Sequence, residues 1–240
     1  MTGKSVLILG ATGATGQFLL QELLNCSAYS RVGEYGRRVT PLDEITSGKE
    51  KIIQKVIDFE NLSESGIKEG RWDVVLITLG ARRVKAPDAE EFQKIDREYV
   101  INVACEAKVD DPSFPQRLIY VSSINAKMDS WFMYPRTKAL TEIELANLGY
   151  KETGIIRTAC LTNINKPEFR IIERVASAII SIRKCWEISH TMECATLAKS
   201  MKNAGLLDWS IIEKHSTKNA DVPFTLIDNL PARAIADQLL

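Results

Sequence analysis

The stretch Ser5-Val6-Leu7-Ile8-Leu9-Gly10-Ala11-Thr12-Gly13-Ala14-Thr15-Gly16 constrains this chain more than any other. A short apolar run ends at a glycine, and two further glycines follow at three-residue spacing. Gln17-Phe18-Leu19-Leu20-Gln21-Glu22-Leu23-Leu24 then takes up helical spacing, with apolar residues at 19, 20, 23 and 24. A continuous apolar run reads as a strand buried on both faces, as in a parallel sheet. In a strand–turn–helix of this kind the first glycine permits the tight turn. The second lets the backbone approach a pyrophosphate, and the third lets helix pack closely on strand. The helix start offers free N–H groups and a partial positive charge to phosphate. Gly10, Thr12, Gly13, Ala14, Thr15 and Gly16 are therefore candidate cofactor contacts. The bland alternative is a tight βα turn with no ligand. Gly3-Lys4-Ser5 mimics the tail of a nucleoside-triphosphate loop but lacks the strand and glycine that must precede it.

The rest of the chain repeats the strand–helix alternation. Strands are expected near 31–35, at 52–59, at 73–79, at 117–123, at about 154–161 and near 209–213. Helices are expected at 88–108, about 135–148, about 168–183 and about 192–205. In the helix over 88–108, Phe92, Ile95, Tyr99, Val103 and Ala107 fall on one stripe. Alternating strands and helices imply βαβ units with right-handed crossovers. The expected architecture is a doubly wound α/β domain with a mostly parallel sheet of six or seven strands flanked by helices. A dinucleotide would lie across the carboxyl ends of those strands, at the switch point.

An NAD site usually carries an acidic residue about 20 residues on, at the end of the second strand. Here that strand closes in Tyr35-Gly36-Arg37-Arg38, and two arginines suit a 2′-phosphate, so the pattern favours NADP(H). A solvated arginine pair is the alternative, and Glu34 takes the acidic role if the strand ends earlier. Asp58, closing the third strand, either borders the adenine or is a plain strand end.

The fifth strand ends in Ser122-Ser123, and Tyr134 and Lys138 follow at helical i, i+4 spacing, side by side on one face. A free phenol titrates near pH ~10, and a neighbouring ammonium favours phenolate. Tyr134 is thus a candidate acid/base for a hydride transfer to a small carbonyl substrate. Ser123 is a candidate to orient the carbonyl, and Lys138 to support the phenol and bind the nicotinamide ribose. Against this stands the reading of Tyr134 as a partly buried helix residue and Lys138 as a solvated one. Pro135 at the first helical position would put Tyr134 at the helix cap.

The glycine turn, Ser122-Ser123 and Tyr134-Pro135-Arg136-Thr137-Lys138 together resemble the short-chain dehydrogenase/reductase superfamily, with its Rossmann fold. The finer resemblance is to the atypical branch holding the oxidoreductase-like Tat-interacting proteins and the fungal found-in-mitochondrial-proteome family. It is carried also by Gly36-Arg37-Arg38, Val56-Ile57-Asp58-Phe59-Glu60, Leu79-Gly80-Ala81-Arg82-Arg83 and Ile95-Asp96-Arg97-Glu98-Tyr99-Val100. The resemblance implies NADPH binding through Gly10, Gly13, Gly16 and Arg37 or Arg38, with contacts from Leu79, Gly80 and Lys138. It implies a cytoplasmic protein, at most peripheral on the cytosolic face of the mitochondrial outer membrane. The chain departs from the family where Arg157-Thr158-Ala159 replaces Arg-Pro-Gly, and the resemblance fades after about residue 165.

Composition sets outer bounds. The chain has 240 residues and 45% apolar side chains, which excludes wholesale disorder and fits one domain. Residues from about 162 to 240 form its substrate side. The 31 basic and 31 acidic side chains cancel, which argues against nucleic acid as partner. Five scattered cysteines and two histidines, His190 and His215, form no metal site or disulfide framework and fit a reducing compartment. No targeting segment is expected, since the first strand begins at once. Residues 168–186, with Arg170, Arg174, Arg183 and Lys184, form either a helix covering the sheet or a basic helix on a membrane surface. Arg82, Arg83 and Lys85 form a basic loop after the fourth strand. The rival to an oxidoreductase is a dinucleotide-binding regulatory or scaffold protein with a protein partner and no catalysis.

Overall fold

A computed structural model describes residues 3–80, 89–158, 160–162, 191–214, 216–218 and 224–238. The expectations for 168–186, for Arg82, Arg83 and Lys85, and for His190 and His215 lie outside the described residues.

Strand β1 (Lys4–Leu9) is buried almost throughout and feeds the glycine turn into α1 (Ala14–Asn25). β2 (Tyr29–Gly36), β3 (Ile52–Val56) and β4 (Val74–Ile77) follow. Next come a helix of three joined pieces, β5 (Arg117–Ser123), and the long helix that carries the Tyr/Lys pair, then β6 (Glu152–Thr158). The pieces are α2 (Ala89–Gln93), a π turn (Lys94–Glu98) and α3 (Tyr99–Ala107), and the long helix is α4 (Met133–Asn147). β7 (Cys160–Thr162) and β8 (Thr191–Glu193) pair in parallel as a separate two-stranded sheet. The chain continues through α5 (Cys194–Leu206), α6 (Trp209–Lys214), β9 (Thr217–Lys218), β10 (Thr225–Ile227) and α7 (Asn229–Ala236).

The main sheet runs β3-β2-β1-β4-β5-β6-β10-β9, parallel except for the two-residue edge strand β9. Strand order reverses between β1 and β4, where Leu9 pairs with Ile77. Crossovers therefore leave β1 in opposite directions and open a crevice at the carboxyl ends. Alternate residues feed two cores. Val6, Ile8, Val32, Leu76 and Ile119 face α1, α5 and α7. Leu7, Leu9, Val75, Ile77, Leu118 and Tyr120 pack with α3 and the far end of α4. Burial on both faces is what made these strands read as continuous apolar runs.

The structure corrects three local expectations. Residues 209–213 are helix, not strand. Asp208 caps α6 by accepting the Ser210 N–H at 2.8 Å, Ile212 is buried, and the Arg117 guanidinium lies 4.8 Å from the Trp209 ring. The sheet is completed instead by β10, whose three residues pair with Gly154, Ile155 and Ile156. α4 begins at Met133, so Tyr134 lies inside its first turn rather than at the cap. Pro135 fits there because first-turn N–H groups have no intrahelical acceptor. Third, the stripe over 88–108 turns over midway. Asp96 and Val100 are buried where Ile95 and Tyr99 were expected, because the π turn spends an extra residue and rotates the helix face.

Candidate functional site

One wall of the crevice is the glycine turn. Gly10 sits at φ 93°, a left-handed conformation that favours glycine, and its carbonyl accepts the Gly13 N–H at 2.9 Å. A Cβ on Gly16 would lie 2.0 Å from the Gly10 oxygen and 2.7 Å from Ala11 Cα, so α1 can dock here only with glycine. Gly13 is the N-cap of α1, which has no side-chain cap and no acidic residue in its first turn. Its orphan N–H groups keep their partial positive charge. Thr12 lends its carbonyl to Gln17 at 3.3 Å, and the buried Thr15 side chain hydrogen-bonds the Cys194 thiol on α5. Thr15 thus faces the turn through its backbone. The Thr78 hydroxyl lies 3.1 Å from the carbonyls of both Leu9 and Gly10, tying the end of β4 to the turn.

At the end of β2, Glu34 is buried. Its carboxylate accepts the Thr40 N–H and hydroxyl at 2.8 Å each and the Gln54 amide at 2.7 Å. It holds the loop that follows the strand. Arg37 and Arg38 follow as exposed side chains. Arg37 lines a cleft of about 370 Å³ with Glu90, Glu91, Lys94, Ile95 and Tyr99. β3 ends at Val56, short of the expected 59, and exposed Asp58 accepts the Glu60 N–H at 3.0 Å. Phe59 beside it stacks on Tyr99 at 5.1 Å.

The opposite wall is built by β4, β5 and α4. β4 delivers half-buried Leu79 and exposed Gly80. β5 delivers Ser122 and Ser123, both buried. Ser123 Oγ accepts the Asn125 N–H at 3.3 Å, while Ser122 Oγ is buried and has no hydrogen-bond partner among the described residues. Tyr134 is half-buried against Phe92, with ring centroids 5.8 Å apart. Lys138, one helical turn on, is not solvated: its side chain is 6% exposed. Its ammonium donates to the Tyr120 hydroxyl at 2.8 Å and lies 3.3 Å from Asp96 Oδ2. Burial pulls the Lys138 pKa down, but Tyr120, Asp96 and Tyr134 together overcome it and raise the value above that of a free lysine. Burial pushes the Tyr120 phenol up to about 12 even with the lysine beside it. Neither Tyr120 nor Asp96 was singled out from the sequence. Tyr120 reads as one more alternating core residue, and Asp96 comes inward only through the π turn.

Arg157 continues β6 opposite Ser122 and forms a two-pronged ion pair with buried Glu142 of α4, at 3.0 and 2.6 Å. Arg157 therefore clamps α4 to the sheet. Between Ser123 and Tyr134 the chain exposes Ile124, Met128, Trp131 and Phe132, the last two at 96% and 68%.

No family model matches the chain. It is 31% identical over 204 residues to Protein HTATIP2 of Rattus norvegicus, spanning 85% of this chain and 81% of that one. It is 32% identical over 176 residues to the mitochondrial Protein FMP52 of Candida albicans, spanning 73% and 75%. Among solved structures, it superposes on a nucleoside-diphosphate-sugar epimerase of Agrobacterium tumefaciens with a TM-score of 0.66 at 16% identity, covering 88% of this chain and 71% of that one. A short-chain dehydrogenase/reductase of Saccharomyces cerevisiae gives 0.63 at 14% identity, covering 93% and 95%. The chain belongs to the family of HTATIP2 and the fungal FMP52 proteins, and its fold is that of the short-chain dehydrogenases/reductases.

Proposed function

We propose that this chain is an NADP(H)-dependent oxidoreductase that moves a hydride between the dinucleotide and a small carbonyl compound. The observation that carries this reading is one arrangement at the switch point. An uncapped helix start behind a glycine cradle faces a buried, charged lysine one turn from a half-buried tyrosine. The residues fit a dinucleotide: α1 starts at Gly13 with no side-chain cap, and among the described residues Ser122 Oγ has no hydrogen-bond partner.

In this reading Gly10, Thr12, Gly13, Ala14, Thr15 and Gly16 hold the pyrophosphate through backbone groups. Arg37 and Arg38 take the 2′-phosphate, Asp58 borders the adenine, and Leu79, Gly80, Ser122 and Lys138 line the nicotinamide half. Bound there, the nicotinamide supplies or accepts the hydride. Ser123 hydrogen-bonds the substrate carbonyl, and Tyr134 gives or takes the proton at its phenol oxygen. Lys138 supplies a fixed positive charge that favours the phenolate. Trp131, Phe132 and Met128 offer the substrate's hydrocarbon part an apolar surface. The chain from about residue 162 completes the substrate side.

Titration with NADPH and NADH tests the cofactor assignment. Arg37→Ala and Arg38→Ala should each weaken NADPH about tenfold or more and leave NADH unchanged, as expected for a lost charge-assisted contact. Equal effects on both dinucleotides sink it. NADPH oxidation by aldehydes, ketones or quinones should vanish in Tyr134→Phe.

One observation favours a second reading, a dinucleotide-binding regulatory or scaffold protein with a protein partner. The Lys138 ammonium is engaged by Tyr120 and Asp96, which reduces what it offers Tyr134. Tight NADPH binding without turnover across the substrate panel selects it. The location proposed is cytoplasmic, peripheral on the cytosolic face of the mitochondrial outer membrane; the fungal relatives, named mitochondrial, support an association with that organelle. No helix among the described residues is long and apolar enough to cross a membrane. Fractionation with and without a carbonate wash checks that placement.

A further inference from the structure

Two groups beside Lys138 have no part in the chemistry proposed above. An ammonium buried this deeply loses its hydration and sheds its proton unless a counter-charge compensates. Among the described residues the titratable groups acting on it are Tyr120 on β5, Asp96 on the π turn and Tyr134 on its own helix. Asp96 is the carboxylate of the three, and its side chain is 0% exposed.

The geometry fixes the pair from several sides. The π turn brings Asp96 to the buried face. Its carbonyl accepts from Thr141 Oγ1 at 3.3 Å, and Thr141 also bonds the Thr137 carbonyl at 2.9 Å. The helix that carries the lysine thus grips the residue that neutralises it. A Cβ at Gly80 would lie 3.1 Å from Asp96 Oδ1 and 3.6 Å from Lys138 Nζ. The cluster meets the strand-end crevice at Gly80, which has no side chain. Tyr120 accepts one hydrogen of the ammonium, and Asp96 Oδ2 pairs with its charge at 3.3 Å.

We infer that Asp96 is the positioning residue of this site: it keeps the buried Lys138 ammonium charged beside Gly80 at the crevice. The use of that charge toward a dinucleotide rests on the function proposed above, whereas the charge assignment stands on the pair itself.

The test is a titration of the full chain without ligand, with lysines carrying carbon-13 at Cε and Lys138→Met assigning the resonance. In the wild type the Lys138 signal should keep its protonated position beyond the midpoint of exposed lysines, about pH 10.4. In Asp96→Asn its midpoint should fall by about one to three pH units, the range for loss of an adjacent opposite charge. Tyr120→Phe, which keeps the carboxylate, should move it less. An Asp96→Asn midpoint equal to the wild-type one overturns the inference. So does a wild-type Lys138 that titrates below the exposed lysines, a result that needs no variant to fold. Failure to bind NADPH in a separate titration would sink the proposed function and leave these midpoints standing.

Discussion

The two walls of the crevice are built on opposite principles. On the β1–α1 wall the working groups are backbone N–H and carbonyl groups, and side chains are kept out: glycine stands at 10, 13 and 16, and α1 has no side-chain cap. On the β4–β5–α4 wall the working groups are ionisable side chains taken out of water, Asp96, Tyr120 and Lys138, each with partners. The first wall tolerates nothing added, and the second tolerates nothing removed. The reason is physical. A close backbone approach is limited by repulsion, whereas a buried charge is limited by the solvation it has given up.

That contrast can be broken at either wall. The largest effect is expected for Lys138→Met, which removes the ammonium paired with the buried Asp96 carboxylate. Urea unfolding should show a loss of about 3–5 kcal/mol, and adding Asp96→Asn should restore much of it. A loss under about 1 kcal/mol would make the pair equivalent to a surface one. Gly16→Ala comes next, at about 3 kcal/mol, since its Cβ would lie 2.0 Å from the Gly10 carbonyl oxygen. Gly13→Ala, which meets that oxygen at 3.0 Å, should cost less, and equal thermal shifts for the two would end the argument from space.

The third test uses pH. Burial raises the Tyr120 phenol from 10.0 to about 12 in the folded chain. The unfolded chain ionises first, so this stabilisation is whole below about pH 10 and lost as pH rises through about 12. Lys138, also raised, loses its contribution in the same direction. The share of Tyr120 is about 2–3 kcal/mol. Unfolding free energy should therefore fall less in Tyr120→Phe than in wild type between pH 10 and 12. Parallel curves would remove Tyr120 from the account. The smallest effect is expected for Trp131→Ala, whose side chain is 96% exposed: stability should move within about 0.5 kcal/mol. If the substrate reading is right, KM for apolar carbonyls should rise while NADPH affinity stays put.

The two walls also differ in how far the sequence reveals them. The glycine wall is legible because strand, turn and helix start are consecutive, and each glycine has a local steric reason. β5 was legible end to end, and the Tyr134–Lys138 pair followed from helical spacing. The misreadings came where a residue's environment depends on distant chain. Trp209-Ser210-Ile211-Ile212 looks apolar enough for a strand, but the Asp208 cap and the guanidinium of Arg117 hold it as helix. β10 has three residues, too few for a periodic signal, and exists because β6 presents an edge.

What the sequence determined by itself, then, is the order of elements through β6, the glycine turn and the spacing of tyrosine and lysine. All of these depend on neighbours within a few residues. Only the tertiary structure decided that Lys138 is buried, that Tyr120 rather than Tyr134 accepts its hydrogen bond, and that Asp96 lies beside it. One π turn rotates Asp96 into the core, and three segments far apart in the chain converge on one ammonium. Spacing within a segment carries no record of such convergence, because the free energy that favours it is the shared desolvation of groups that meet only when the sheet closes.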